Sequence, residues 1–324
     1  GKRHVQNVPF LFIMAKKIFS GIQNNLLQNI LSEVNDYFGD TFAWKKRLGK
    51  GGSGQVYLAE NKGGRKIAVK IYREQNRCEQ EKSDLESLRK KCTVKIPDVY
   101  FTSTVSGTDI LAMEYIDGVN AWKNIRIYLA PKEKRKAFAE SVAKGVYSIL
   151  AVRESKFGDP KGELYDEWTD YYFPRAEKIL EGMKEYSGKF AYRRIYRLML
   201  FLWERRETIF AEKPPYSAFI HGDLCPMNML ADPRKMELKA FIDPFDAFYA
   251  DPEYELFQLF CQSGDFLGLY EEYKTLFPVS VNVDKKSYFY AIFAEAEYFL
   301  STGRMLWAVV LPLLTKKRRF IGKL

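Results

Sequence analysis

A glycine-rich turn that opens into strands rather than into a helix is the feature that most narrows what this chain can fold into. Leu48-Gly49-Lys50-Gly51-Gly52-Ser53-Gly54-Gln55-Val56-Tyr57 follows the pattern G-x-G-x-x-G-x-V. Such a turn lets backbone approach phosphate oxygens without side-chain obstruction. Dinucleotide-binding folds share the string but need a helix directly after the glycines. Here Gln55 to Glu60 reads as a strand, Asn61-Lys62-Gly63-Gly64 as a turn, and Lys66 to Tyr72 as a second strand. That second strand carries Ala68-Val69-Lys70, which makes Lys70 the candidate for pairing with α and β phosphates.

A lysine between apolar neighbours needs a carboxylate. The helical stretch from about Arg77 to Lys91 offers Glu79, Glu81 and Glu86. At ~100° per residue, Glu81 shares a face with Leu85 and Leu88, whereas Glu79 and Glu86 lie nearly opposite. Glu81 therefore points inward, and a charge on a core-facing stripe is costly unless paired. After Ile96-Pro97-Asp98-Val99 a strand is expected, then another over Asp109 to Tyr115, followed by Ile116-Asp117-Gly118.

Further on comes His221-Gly222-Asp223-Leu224-Cys225-Pro226-Met227-Asn228, and fifteen positions after Asn228 stands Asp243 in Phe241-Ile242-Asp243-Pro244. One carboxylate to take a hydroxyl proton, then an amide and a second carboxylate to hold Mg2+, is the set that phosphoryl transfer requires. Asn228 to Leu230, the turn former Asp232-Pro233-Arg234, and Met236 to Ile242 read as a β-hairpin that brings both metal ligands to one end. His221 is open to two roles, a catalytic base or a side chain that packs this loop.

In this order the features resemble the protein-kinase-like superfamily, and within it the small-molecule branch of aminoglycoside, choline and fructosamine (ketosamine) kinases, over about Phe42 to Phe260. The likeness is strongest to fructosamine kinases. Further stretches carry it: Glu81 to Val99, Phe157-Gly158-Asp159-Pro160, Trp168 to Arg175, and Phe248-Tyr249-Ala250-Asp251-Pro252-Glu253-Tyr254-Glu255-Leu256. Cys225 and Met227 stand where those kinases usually have Trp and Gly, and their Asn-His-rich helix is not evident in Lys285 to Thr302. The resemblance implies an α+β, two-lobed kinase-like fold, a β-rich lobe with one main helix and a mostly helical one, with ATP between them. It implies Asp223 as the catalytic base, Asn228 and Asp243 on Mg2+, and Lys70 anchored by Glu81. Gly49, Gly51, Gly52, Ser53, Gly54, Val56, Ala68, Met113 and the backbone of Glu114 and Ile116 complete the nucleotide set. The implied partition is a 1–40 extension with a helix, a 41–118 lobe with glycine turn and hinge, and a 119–324 lobe with the acceptor site.

Composition agrees. With 324 residues, 47% hydrophobic and 15% aromatic, the chain can build one large core, and no Pro- or Ser-rich linker divides it. Four scattered cysteines and two histidines argue against a zinc site or disulfide scaffold and for a reducing cytoplasm. Near the start, the apolar run Val8 to Ala15 is too short to span a bilayer and lacks a cleavage site; Met14 is a candidate natural start. Ile22 to Phe38 has the spacing of an amphipathic helix. Helical patterns also cover Lys132 to Val152, Tyr165 to Tyr186, Tyr192 to Ala211, Pro252 to Gln262, Phe266 to Thr275 and Lys285 to Leu300.

The net charge of +10 argues for a neutral or anionic acceptor, and nothing but the tail Thr315-Lys316-Lys317-Arg318-Arg319 suggests nucleic acid, so none is expected. That tail follows apolar Met305 to Leu314 and is either a solvated end or a contact with an anionic membrane. Glu163, Asp166, Glu167 and Asp170 would form one acidic face on a helix, a candidate site for an amine-bearing acceptor. After seven intervening residues beyond Asp243, Asp251-Pro252 reads as a helix N-cap and first turn, leaving no room for the long activation segment that seats a peptide. The reading is thus a small-molecule kinase acting on a ketosamine or other sugar-derived hydroxyl. The alternatives are an atypical protein or lipid-linked kinase, or a non-catalytic nucleotide-binding module.

Overall fold

The alternation in Lys66–Tyr72 decides the architecture of the first part of the chain. Ile67, Val69 and Ile71 lie on one side of that strand, and Ala68, Lys70 and Tyr72 lie on the other. In the computed structural model, which describes residues 24–232, 234–245 and 247–322, the chain divides into two compact units. One comprises residues up to Glu86 with Pro97–Tyr115; the other comprises Ser87–Ile96 and everything from Ile116 on. Readings that fall on residues 1–23, including the apolar run and Met14, lie outside the described residues, as does Pro233 of the hairpin turn.

The first unit is an antiparallel sheet of β1 (Phe42–Lys50), β2 (Gly54–Asn61), β3 (Lys66–Tyr72), β4 (Val99–Val105) and β5 (Thr108–Glu114), in the order β1-β2-β3-β5-β4. A helix over residues 24–38 (α1) lays Ile30 and Val34, both fully buried, on Phe42, Ala59, Ile67, Val69, Ile110 and Ala112. Burying each such aliphatic side chain contributes about 1.5–3 kcal/mol. The indole of Trp44 donates to the Leu27 carbonyl at 3.0 Å, and Asn35 Oδ1 accepts the Phe42 N–H at 2.8 Å. β1 was not among the expected strands. It carries bulges at Trp44/Lys46 and Arg47/Gly49, so its apolar residues never show a clean period of two. Helix α2 (Cys78–Lys91) buries Leu85 and Leu88 with Glu81.

In the second unit the expected hairpin is present as β8 (Met229–Ala231) and β9 (Leu238–Phe241), joined at its edge by β6 (Val119–Asn120). Strands β7 (Ala218–Phe219) and β10 (Tyr249–Ala250) pair separately. The helices are α3 (Ile125–Leu129), α4 (Lys132–Leu150), α5 (Trp168–Lys184), α6 (Phe190–Trp203), α7 (Arg206–Ile209), α8 (Gly264–Leu267), α9 (Leu269–Leu276), α10 (Val283–Thr302), α11 (Trp307–Thr315) and α12 (Lys317–Ile321). Tyr288 to Phe293 of α10 are all buried, so α10 is enclosed on every side and forms the axis of the core. Asp251 caps as expected, accepting the Glu253 N–H at 2.9 Å with Pro252 at the first position, but the element is a 3-10 helix, Pro252–Leu259.

The helical reading fails before Trp168. Glu163, Asp166 and Glu167 do not lie on a helix, because α5 begins at Trp168. Tyr165 instead exchanges backbone hydrogen bonds with Phe157 at 2.8 and 2.9 Å, which holds this stretch extended. Asp166 pairs with Lys156, and Glu167 with Lys213. The acidic face therefore does not exist.

Candidate active site

In the first unit, strand register places cross-strand neighbours on a common face. Val56, Lys70 and Leu111 form one rung, and Leu58, Ala68 and Met113 form the next. Val56, Ala68, Lys70 and Met113 thus share the side opposite α1. The Lys70 ammonium, 3% exposed, meets Glu81 Oε2 at 2.5 Å, and the Tyr72 hydroxyl donates to the same oxygen at 2.7 Å. A buried ion pair is tolerable only with such additional hydrogen bonds.

The glycine turn closes through the Gly51 N–H on the Gly54 carbonyl at 3.0 Å, and Ser53 O accepts the Arg73 N–H at 2.9 Å. A Cβ on Gly54 would stand 2.2 Å from the Ile71 carbonyl oxygen, so packing against β3 excludes any other residue there. Around Gly49, Gly51 and Gly52 there is open space. The Glu114 N–H is engaged by Asp98 O at 2.8 Å, and Ile116 begins the second unit.

In the second unit, the pairing Met229↔Phe241 and the Ile242 N–H on Asn228 O at 2.9 Å set Asn228 beside the start of the Asp243 segment. The buried Asn228 amide donates to Asp223 Oδ2 at 2.8 Å and to the Asp223 carbonyl at 2.7 Å. Burial first, and then the charge of Asp243, push the Asp223 carboxyl up to about 7; the Asn228 hydrogen bond opposes this. Asp243 takes a left-handed backbone with φ of 61°. The structure thus brings Asp223, Asn228 and Asp243 together.

His221 is fully buried, and that burial lowers its pKa to about 4, so the ring is neutral near neutral pH. Its Nε2 lies 3.2 Å from the Ile242 carbonyl, and its Nδ1 faces the Asp223 N–H at 3.4 Å. Nε2–H as donor and Nδ1 as acceptor satisfy both contacts. The ring packs the loop rather than exchanging protons with a ligand.

Two groups were not singled out from the sequence. Glu255, 1% exposed, accepts the N–H groups of His221 at 2.6 Å, Gly222 at 3.0 Å and Leu224 at 3.2 Å. Its own segment is fixed by buried Lys286, which meets Asp251 at 2.5 Å and Glu253 at 2.7 Å. An acid inside the apolar run Tyr254 to Phe260 was the available signal. Glu295 on α10 has its carboxyl raised to about 7 by burial and by the charge of Asp223, and its Oε2 is buried with no hydrogen-bond partner.

An antiparallel β unit bearing a buried Lys–Glu pair, joined to a helical unit bearing this loop and hairpin, defines an α+β kinase-like phosphotransferase. The chain belongs to the phosphotransferase enzyme family (APH), whose model matches residues 45–273. It is similar to the uncharacterized protein YcbJ of Escherichia coli (strain K12), with 22% identity over 231 residues, 67% of this chain and 73% of that one. A crystal structure provisionally named fructosamine-3-kinase, from Haemophilus somnus 129PT, matches with a TM-score of 0.64 and 15% identity, covering 90% of this chain and 97% of that one. The streptomycin-ATP ternary complex of APH(2'')-IIa matches with a TM-score of 0.62 and 16% identity, covering 88% and 95%. The chain is accordingly an enzyme, a phosphotransferase of the small-molecule kinase kind. Among the described residues no helix is long and apolar enough to cross a membrane.

Proposed function

We propose that this phosphotransferase moves the γ-phosphate of ATP to a hydroxyl of a sugar-derived, amine-bearing small molecule, a ketosamine being the first choice. The observation that carries the reading is the hydrogen-bonded Asp223–Asn228 pair, 2.8 Å apart, with the charge of Asp243 acting on it from the same end of the hairpin. Asp223 accepts or orients the acceptor proton; Lys70, held by Glu81, grips the α and β phosphates; the turn from Gly49 to Gly54 covers them. Val56, Ala68 and Met113 line the base, and the backbone of Glu114 and Ile116 meets its edge. ATP is favoured because a structural neighbour is an ATP complex.

Mg2+ fits the donors. Asn228 and Asp243 are hard oxygen ligands, and two of them suffice for an ion that takes its remaining ligands from phosphates and water. When bound it would supply charge neutralisation on the phosphates.

The amine follows from Glu295. The chain's positive net charge argued for a neutral or anionic acceptor, but the field beside Asp223 is set by Asp243, Glu255 and Glu295. A buried carboxylate oxygen without a partner suits an ammonium donor. The test is ATP consumption with Mg2+ across ketosamines, aminoglycosides, choline, sugars and nucleosides. Turnover of amine-bearing sugars that vanishes in Asp223→Asn supports the reading; turnover of neutral sugars or nucleosides alone removes the amine from it, and no turnover of any acceptor class removes the reaction.

A further inference from the structure

Between β6 and the start of α4 the chain turns apolar side chains outward. Trp122 is 46% exposed, Ile125 67% and Leu129 78%, at spacings of three and four residues, so they share one side of α3 and the 3-10 turn before it. The core side of α3 is supplied by Ile127, which is fully buried. Phe266 of α8, 59% exposed, is drawn beside them: its ring lies 5.6 Å from that of Tyr128, whose hydroxyl reaches Ser263 Oγ at 2.6 Å. Interleaved with these residues are the exposed Lys123, Arg126, Lys132, Lys134 and Lys136, and Glu133 is the only acid between residues 119 and 136.

We infer that this face docks the protein on the surface of a membrane containing anionic lipids. Four large apolar groups including a tryptophan, ringed by lysines and arginine, match the acyl–headgroup boundary, where apolar parts enter the bilayer and cations stay among the phosphates. A protein partner fits less well, because the cores of protein interfaces are depleted of lysine. The contact is peripheral in kind: α3 has five residues, against the ~20 that a spanning helix needs. It also differs from the C-terminal tail, where Lys316 and Arg319 are already held by Asp265 and Glu271.

The face adjoins the loop that carries Asp223. The turn Ala121–Lys123 packs against the turn Pro226–Asn228, the Asn120 amide donates to the Met227 carbonyl, and the Met227 side chain, 40% exposed, extends the apolar surface. Docking therefore places that loop close to the lipid surface. The inference rests on surface chemistry and stands whether or not the proposed acceptor is right.

The experiment is co-sedimentation of the full chain with vesicles of phosphatidylcholine alone or mixed with phosphatidylglycerol. The parent should partition at least about tenfold more strongly onto the anionic vesicles, with binding lost as salt is raised. Combined Trp122→Ser, Ile125→Ser and Leu129→Ser should abolish pelleting without lowering the melting temperature. Lys123→Glu with Lys132→Glu should weaken binding by about fivefold or more for each residue. A parent that stays in the supernatant with anionic vesicles overturns the inference, as does a triple-serine variant that pellets like the parent. A parent that is dimeric or retained by polyglutamate, yet ignores vesicles, assigns the face to a second copy or an acidic protein and overturns it equally.

Discussion

Glu81 and Glu255 are both buried carboxylates beside the groups expected to do chemistry, yet they are neutralised in different ways. Glu81, in the first unit, is met by the Lys70 ammonium and the Tyr72 hydroxyl. Glu255, in the second, is met by three backbone N–H groups of one loop, which oppose burial without overcoming it, so burial holds its carboxyl up at about 7. The first arrangement aims a side chain; the second sets the path of a backbone. Charge pairing leaves a trace in residue types along the sequence, whereas backbone capping leaves almost none.

The comparison breaks most visibly at Glu255. Glu255→Ala leaves three buried N–H groups without an acceptor, at about 1–3 kcal/mol each, and should lower the melting temperature by about 10 °C, followed by circular dichroism. Glu255→Gln, which keeps one acceptor oxygen, should fall between this variant and the parent. A Glu255→Ala protein that melts within about 2 °C of the parent would show that the loop holds its own shape.

Asp223→Asn comes next, with kcat lowered ~100-fold or more and Mg-ATP affinity kept within severalfold, read by steady-state kinetics and calorimetry. It also carries a signature in stability. Because burial raises the Asp223 carboxyl to about 7, the parent above that pH holds a penalised charge that Asn lacks. The variant should therefore melt higher than the parent at pH 8, and the gap should close toward pH 5, where Asp223 is protonated. Equal turnover by parent and variant would remove Asp223 from the reaction.

The smallest effect is expected at Glu81. Glu81→Gln keeps an oxygen facing Lys70 but removes its charge, so the KM for ATP should rise about tenfold with the fold largely intact. If instead this variant loses as much stability as Glu255→Ala, the two carboxylates do the same work and the contrast collapses.

Much of the fold was legible because its signals were local. The Gly-Gly turn fixes β2 and β3 at their expected places, and β3 matches residue for residue from Lys66 to Tyr72. The inward turn of Glu81 followed from helical spacing with Leu85 and Leu88, and the hairpin from its alternation and turn. Less was legible where tertiary contacts override pattern. Two bulges hid β1, an extended pairing of Tyr165 with Phe157 replaced an expected helix turn, and α3 is too short for periodicity to register. At the candidate site, Glu255 and Glu295 depended on partners at a sequence distance of 31 residues and more, which no local spacing reveals.

The backbone at Asp243 restricts what drift can do there. With φ at 61°, most residues would add about 1–2 kcal/mol of strain, and only Gly, Asn and Asp settle readily. A lineage released from selection for turnover would therefore change this position most cheaply to Asn, keeping the shape while shedding the charge. On the role proposed for Asp243, descendants of this chain that have lost activity should bear that one-atom change far more often than an alanine or a leucine, so the backbone at this position decides how the enzyme would fall silent.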